Sequence, residues 1–158
     1  MAYDFNADEI FEMAVQVEKN GANFYKKSAE IASDKAEKEL LLELSRMEEI
    51  HAKTFSSLRA SLNDNEKEST VFDPDGEAVQ YLKALADTRV FFEKQIDTSS
   101  LKDILKAAII AEKDSIVFYI GMRDMVPGNL GKTRLDEIIK EEMSHIRILS
   151  SKLLKFKN

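Results

Sequence analysis

The sequence predicts an all-α fold: two antiparallel helical hairpins packed as a four-helix bundle and joined by a long, partly helical crossover. Three observations predict it. Apolar residues recur at alternating spacings of three and four along four long segments, the rhythm of a bundle helix. Only two prolines and five glycines occur in 158 residues, so long helices are allowed. The chain also repeats itself. Glu48-Glu49-Ile50-His51 returns as Glu142-Met143-Ser144-His145, and each copy follows a glutamate 30 residues upstream, Glu18 and Glu112.

The first helix is expected over about 6–32, starting at Asn6 with Glu9 as its capping-box partner. Its seam is Phe11, Ala14, Glu18, Gly21, Tyr25, Ser28 and Ala32. Ser33 and Asp34 break the pattern, and either can cap the second helix, expected over about 34–62. That helix carries Leu41, Leu44, Glu48, His51, Phe55, Leu58 and Leu62 on one face. Residues 63–98 depart from the repeat and read as the crossover. Val71 and Phe72 look buried there, Asp73-Pro74-Asp75-Gly76 is a turn or helix start, and 77–92 is helical. The third helix, about 99–126, starts at Ser99 or Ser100 and aligns Leu105, Ala108, Glu112, Ser115, Tyr119, Met122 and Val126. Pro127-Gly128 stops it. The fourth, about 130–156, aligns Leu135, Ile138, Glu142, His145 and Leu149. Met47, Met122, Met125 and Met143 read as core.

The hairpin geometry can be checked on the residue numbers. In an antiparallel pair, residues at equal height are equidistant from the turn. Glu18 and Glu48 are equidistant from Ser33, and Glu112 and Glu142 from Pro127. Both midpoints are predicted turns, so each upstream glutamate lies level with its own Glu-x-x-His pair.

Composition narrows the class. The length suits a single domain over 1–158, and 44% hydrophobic with 33% charged residues suits a water-soluble helical chain. A net charge of −6 without a basic block argues against nucleic acid. The absence of cysteine removes disulfides, iron–sulfur clusters and thiolate metal sites. No apolar run approaches the roughly 18 residues of a membrane span. The acidic N-terminus lacks a signal-peptide shape, so a cytoplasmic location is expected.

The Glu-x-x-His spacing sets a carboxylate and an imidazole on one helix face. One such pair in a glutamate-rich helix would read as a solvated side-chain pair. Two copies, each in an apolar seam and each level with another glutamate, read as a metal site. Converging buried carboxylates repel one another and must protonate or bind cations. Four glutamates and two neutral histidines offset the charge of two divalent ions, so Glu18, Glu48, His51, Glu112, Glu142 and His145 are the candidate ligands of two metals. Carboxylate-rich ligation with one imidazole per metal and no thiolate favours iron or manganese, and zinc accepts the same donors.

Tyr25 and Tyr119 each follow an upstream glutamate by seven residues. Helical side chains lean toward the N-terminus, so each hydroxyl can reach back and orient a ligand glutamate on another helix. The alternative is a core tyrosine with its hydroxyl satisfied. Gly21 either leaves room beside the metals or lets helices approach closely. Glu49 and Glu141 adjoin the ligands in sequence but point to other faces and read as solvated.

The order Glu, Glu-x-x-His, Glu, Glu-x-x-His over four helices resembles the ferritin-like di-iron carboxylate proteins, the arrangement of a known class of helix bundles. The glutamate-to-tyrosine spacing and the length look most like the rubrerythrin branch, and the resemblance spans 6–156. It implies bridging roles for Glu48 and Glu142, terminal roles for Glu18 and Glu112, and one histidine per metal. It further implies two iron ions and oxygen or peroxide chemistry: a peroxidase, an oxidase or a ferroxidase, in a homodimer. Two departures stand out. Rubrerythrins proper hold an additional iron on four cysteines as an electron relay, and this chain has none, so electrons would come from a separate donor protein. They also carry a further glutamate one turn after the third-helix ligand, where this chain has Ser115. The six-ligand set is closer to that of bacterioferritin. The competing readings are a metal-binding or iron-handling bundle without turnover, and a structural bundle with a stabilising metal pair.

Overall fold

The structure, a computed structural model, describes residues 7–64, 80, 84, 100–126 and 128–156. Among them are four long helices and no strand: α1 (Ala7–Ile31), α2 (Lys35–Ala60), α3 (Leu101–Arg123) and α4 (Asn129–Leu154). Helix α1 packs along α2 and α3 along α4, and the two hairpins meet through α1 with α3 and α2 with α4. Within the crossover, Gln80 and Ala84 are helical. Asn6, Val71, Phe72, the 73–76 turn, Pro127 and the rest of the 77–92 segment lie outside the described residues. None of the described helices is long and apolar enough to cross a membrane.

Local chemistry sets the helix ends. Asp34 is extended and accepts a hydrogen bond from the Glu37 N–H at 3.3 Å, satisfying a donor that has no partner within the helix. Ser100 does the same for Asp103 N–H at 3.2 Å. Helix α3 ends three residues before the expected 126. The Met125 N–H bonds to the Met122 carbonyl at 2.9 Å, tightening the last turn into 3₁₀ geometry, while Met125 and Val126 stay buried. Gly128 takes φ +79°, a backbone that side chains disfavour, and starts α4 without a side-chain cap. At Gly131 an added Cβ would stand 2.7 Å from Val126 Cγ1, so any larger residue there requires the buried Val126 to shift.

The predicted seams are the buried faces. Phe11, Ala14, Tyr25, Leu41, Leu44, Phe55, Leu105, Ala108, Tyr119, Met122, Leu135 and Leu149 are all buried in one core, while Ala32, Leu58 and Leu62 lie at its edge. Met143 differs from expectation, being 50% exposed. It follows Glu142 by one residue, and one residue rotates the side chain about 100° off the seam.

Polar contacts fix the hairpin register. The buried Ser45 hydroxyl donates to the Ala22 carbonyl at 2.8 Å. Arg59 grips Asp8 through two hydrogen bonds of 2.9 and 3.0 Å, and Arg123 grips Asp136 likewise at 2.8 and 3.1 Å. These outer pairs are partly exposed and contribute little energy; their two-point geometry aligns the helices.

Phe55 joins the layers, with its ring centroid 6.4 Å from Phe11 on α1 and 5.2 Å from Tyr119 on α3. It is fully buried, so Phe55→Ala leaves a cavity spanning both hairpins. The expected loss is about 3–5 kcal/mol, read as a lower midpoint in urea unfolding. A loss under about 1 kcal/mol would show that the hairpins do not depend on this contact.

Candidate metal centre

Four helices each contribute to one buried cluster. The seam positions of Glu18 on α1, Glu48 and His51 on α2, Glu112 on α3, and Glu142 and His145 on α4 all face the bundle axis, and all six are at most 3% exposed. Equal height within each hairpin brings them into one layer, with apolar residues on either side. The imidazoles of His51 and His145 lie side by side, 5.9 Å between ring centroids and 21° from parallel.

The donors sort into two overlapping quartets. One is Glu18, Glu48, His51 and Glu142; the other is Glu48, Glu112, Glu142 and His145. Within each, donor atoms lie within 4.8 Å of one another. Glu48 and Glu142 belong to both. His51 Nδ1 is 2.9 Å from Glu142 Oε1, 3.3 Å from Glu48 Oε2 and 3.5 Å from Glu18 Oε2. His145 Nδ1 is 3.4 Å from Glu48 Oε1 and 3.4 Å from Glu112 Oε1. Two donors each about 2.1 Å from one ion and at right angles stand about 3 Å apart, so these spacings fit shared cations.

Hydrogen bonding points the same way. Both carboxylate oxygens of Glu48 and of Glu142, Glu112 Oε2, and Nδ1 of both histidines are buried without a hydrogen-bond partner. Unsatisfied buried polar atoms are costly, and here they converge on two places. The residues therefore fit a pair of metal ions.

The two tyrosines cross between the hairpins. Tyr25 on α1 donates to Glu112 Oε1 on α3 at 2.5 Å. Tyr119 on α3 donates to Glu18 Oε1 on α1. Each thus holds the upstream glutamate of the other half, leaving that carboxylate's second oxygen for a metal. Burial, followed by the nearby carboxylates, raises both phenol pKa values well above the ordinary 10.0, so both hydroxyls keep the proton they donate.

One functional contact was missed by the sequence reading. Glu141, expected to be solvated, is half exposed but sets Oε2 2.5 Å from His51 Nε2. The signal was the Glu141-Glu142 doublet, which places a second carboxylate on the flank of a ligand. Helical period reveals that flank but not which side chain of the next helix lies across it. Gly21 is buried. Ser115 is buried too, and its hydroxyl donates back to the Ala111 carbonyl at 3.0 Å.

Electrostatics divides the carboxylates. Burial, then repulsion from Glu18 and Glu112, holds Glu48 well above the ordinary 4.5. Glu142 is raised by burial and by Glu48 and Glu112. Glu112 departs from a uniform rise: burial pushes it up, but nearby Glu142 and His145 outweigh that and lower it. Burial pushes both imidazoles down, yet the surrounding carboxylates win and raise both. With protons as its only cations, the cluster thus favours the protonated forms of Glu48, Glu142 and both histidines relative to the unfolded chain.

The sign for the metal-free chain follows. Each raised group binds its proton more tightly folded than unfolded. Its stabilisation is complete below the ordinary values of 4.5 for Glu and 6.5 for His and declines as pH rises past them. Glu112 works oppositely, below the ordinary carboxylate value. The chelated protein is therefore expected to melt at lower temperature at about pH 8 than at about pH 5. Glu48→Gln with Glu142→Gln should flatten that slope. Equal slopes in the two proteins would show that the buried carboxylates do not govern it.

The comparisons with known proteins agree with this geometry. The rubrerythrin family model matches residues 9–154. A crystal structure from Thermotoga maritima, described as a ferritin-like diiron-carboxylate protein, superposes with a TM-score of 0.73 at 25% identity. The match covers 99% of this chain and 100% of that one. No curated protein matches. With two hairpins of four helices, a buried Glu/His cluster at their centre and a family match over nearly the whole chain, this protein is a ferritin-like four-helix bundle and belongs to the rubrerythrin family.

Proposed function

We propose that this protein is a di-iron carboxylate oxidoreductase acting on oxygen or peroxide. The observation that carries this is the pair of overlapping quartets sharing Glu48 and Glu142, because two ions bound by common carboxylates can act together. Six oxygen and nitrogen donors without a thiolate suit iron. An iron pair held there supplies the electrons that reduce oxygen or peroxide.

The chain's own residues do the rest. Glu48 and Glu142, common to both quartets, would be shared by the two ions, while Glu18 and Glu112 would each serve one. Tyr119 and Tyr25 restrain those outer carboxylates by donating to one oxygen of each, which leaves the other oxygen to hold an ion. The apolar layers formed by Phe55, Leu44, Leu105 and Leu135 exclude bulk water and keep the charge interactions strong. A separate electron-donor protein is the proposed reductant.

The direct test is to load metal-free protein with ferrous iron under anaerobic conditions and mix it with oxygen or peroxide. Wild type is expected to hold two irons per chain and to colour rapidly on oxidation. His51→Ala and His145→Ala should each lower the iron content by elemental analysis while remaining helical by circular dichroism. A fully loaded wild type that stays colourless with both oxidants would leave metal binding without turnover.

Ser115 bears on which oxidant is preferred. It sits one turn after Glu112 on the buried face, and its hydroxyl is already engaged with its own helix. It therefore adds no charge to the metal cluster. Ser115→Glu introduces a carboxylate with the reach to coordinate. At matched iron occupancy, single-turnover peroxide oxidation should be faster in Ser115→Glu than in wild type. An equal or slower rate would show that this position does not limit the reaction.

A further inference from the structure

We infer that the two metal positions are inequivalent, and that Glu141 is the positioning residue that makes the His51 position the tighter of the two. This rests on the two-metal reading above and refines it. The halves of the cluster mirror each other closely. Each quartet has one imidazole presenting Nδ1, one upstream glutamate restrained by a tyrosine of the other half, and the same two shared glutamates. The outer nitrogens break the symmetry. His51 Nε2 has the Glu141 carboxylate at 2.5 Å. His145 Nε2 is buried and has no hydrogen-bond partner.

The internal repeat explains the difference. Placing Glu142 on Glu48 and His145 on His51 sets Glu141 on Met47. Met47 and His145 line one groove of about 240 Å³ between α2 and α4; Glu43 and Glu141 line it too, but neither hydrogen-bonds to His145 Nε2. At the repeat position where one half carries a carboxylate, the other therefore carries a thioether, which is a weak acceptor.

The consequence for a metal follows from imidazole chemistry. A carboxylate accepting from Nε2–H fixes the proton on that nitrogen and leaves the Nδ1 lone pair for the ion. It holds the ring in place and makes Nδ1 more basic. His145 has no such brace, so its ring must be ordered, and its tautomer selected, when the ion binds. Losing a partner of this kind typically costs about 10–100-fold in metal affinity. The His51 position should fill first, and the His145 position should be the one that exchanges.

The test uses zinc, which is diamagnetic and does not turn over. The chain has only two histidines, so the full-length protein labelled with ¹⁵N-histidine shows two rings, each assigned by substituting the other. On titrating metal-free protein with zinc, the His51 ring is expected to change over the first equivalent and the His145 ring over the second. In loaded wild type the Nε2 proton of His51 should be shifted strongly downfield by its carboxylate. Glu141→Met makes the two halves alike. It should abolish that shift, make both rings respond together, and weaken the tighter position by about 10–100-fold in a chelator-competed cobalt titration. Glu141→Gln keeps an acceptor without the charge and should fall between. Because Glu141 is half exposed, neither substitution opens a core cavity. Rings that respond together in wild type overturn the inequivalence and leave the two-metal reading intact. An order of filling unchanged in Glu141→Met overturns the role of Glu141. Failure to take up any zinc or cobalt overturns both this inference and the two-metal reading.

Discussion

Four carboxylates at the centre of an apolar bundle are the constraint on which the rest of this structure depends. Glu18, Glu48, Glu112 and Glu142 are each at most 1% exposed. An ionised carboxylate moved from water into such surroundings is strongly destabilised unless it is paired. The bundle meets this in three ways. Two tyrosines donate to the outer carboxylates, two imidazoles stand within ion-pair distance, and the remaining oxygens converge where cations fit. The apolar core above and below supplies the stability that tolerates this charged layer, and Phe55 ties the two hairpins together beside it.

The symmetry of the site comes from the repeat, and so does its economy of residue types. One pattern, glutamate then tyrosine then Glu-x-x-His, is used twice, and the two copies complete each other. Tyr25 serves Glu112 and Tyr119 serves Glu18, so neither hairpin forms its half of the cluster alone. The site is therefore complete only when the two hairpins pack together. The copies are not identical around these residues. Gly21 faces Ser115 in the repeat, and Met47 faces Glu141. Small changes beside a symmetric cluster let one metal position differ from the other without altering the ligands.

The same arrangement bears on the range of chemistry open to the family. Six carboxylate and imidazole donors recur with different outcomes because the ligands alone do not choose the reaction. What surrounds them does. In this chain the surroundings are a serine bonded to its own helix, a carboxylate hydrogen-bonded to the outer nitrogen of one imidazole only, and a groove of mixed polar and apolar side chains beside the other.

The sequence by itself determined the helices, their buried faces and the level of each upstream glutamate with its own Glu-x-x-His pair. Periods of three and four specify a helix face, and equal distance from a turn specifies height within a hairpin. Those two coordinates are enough to put Glu18 beside Glu48 and Glu112 beside Glu142. The caps were legible to within one residue, Ser33 or Asp34 and Ser99 or Ser100, since a cap acts within one turn of its own chain; the structure selects Asp34 and Ser100. Only the tertiary structure decided what crosses between helices far apart in sequence. It set Glu141 against His51 and split Glu112 from Glu142 in proton affinity. Local spacing determines the direction in which a side chain leaves its own helix. What it meets depends on the distance, rotation and offset of the neighbouring helix, which arise only when both hairpins pack.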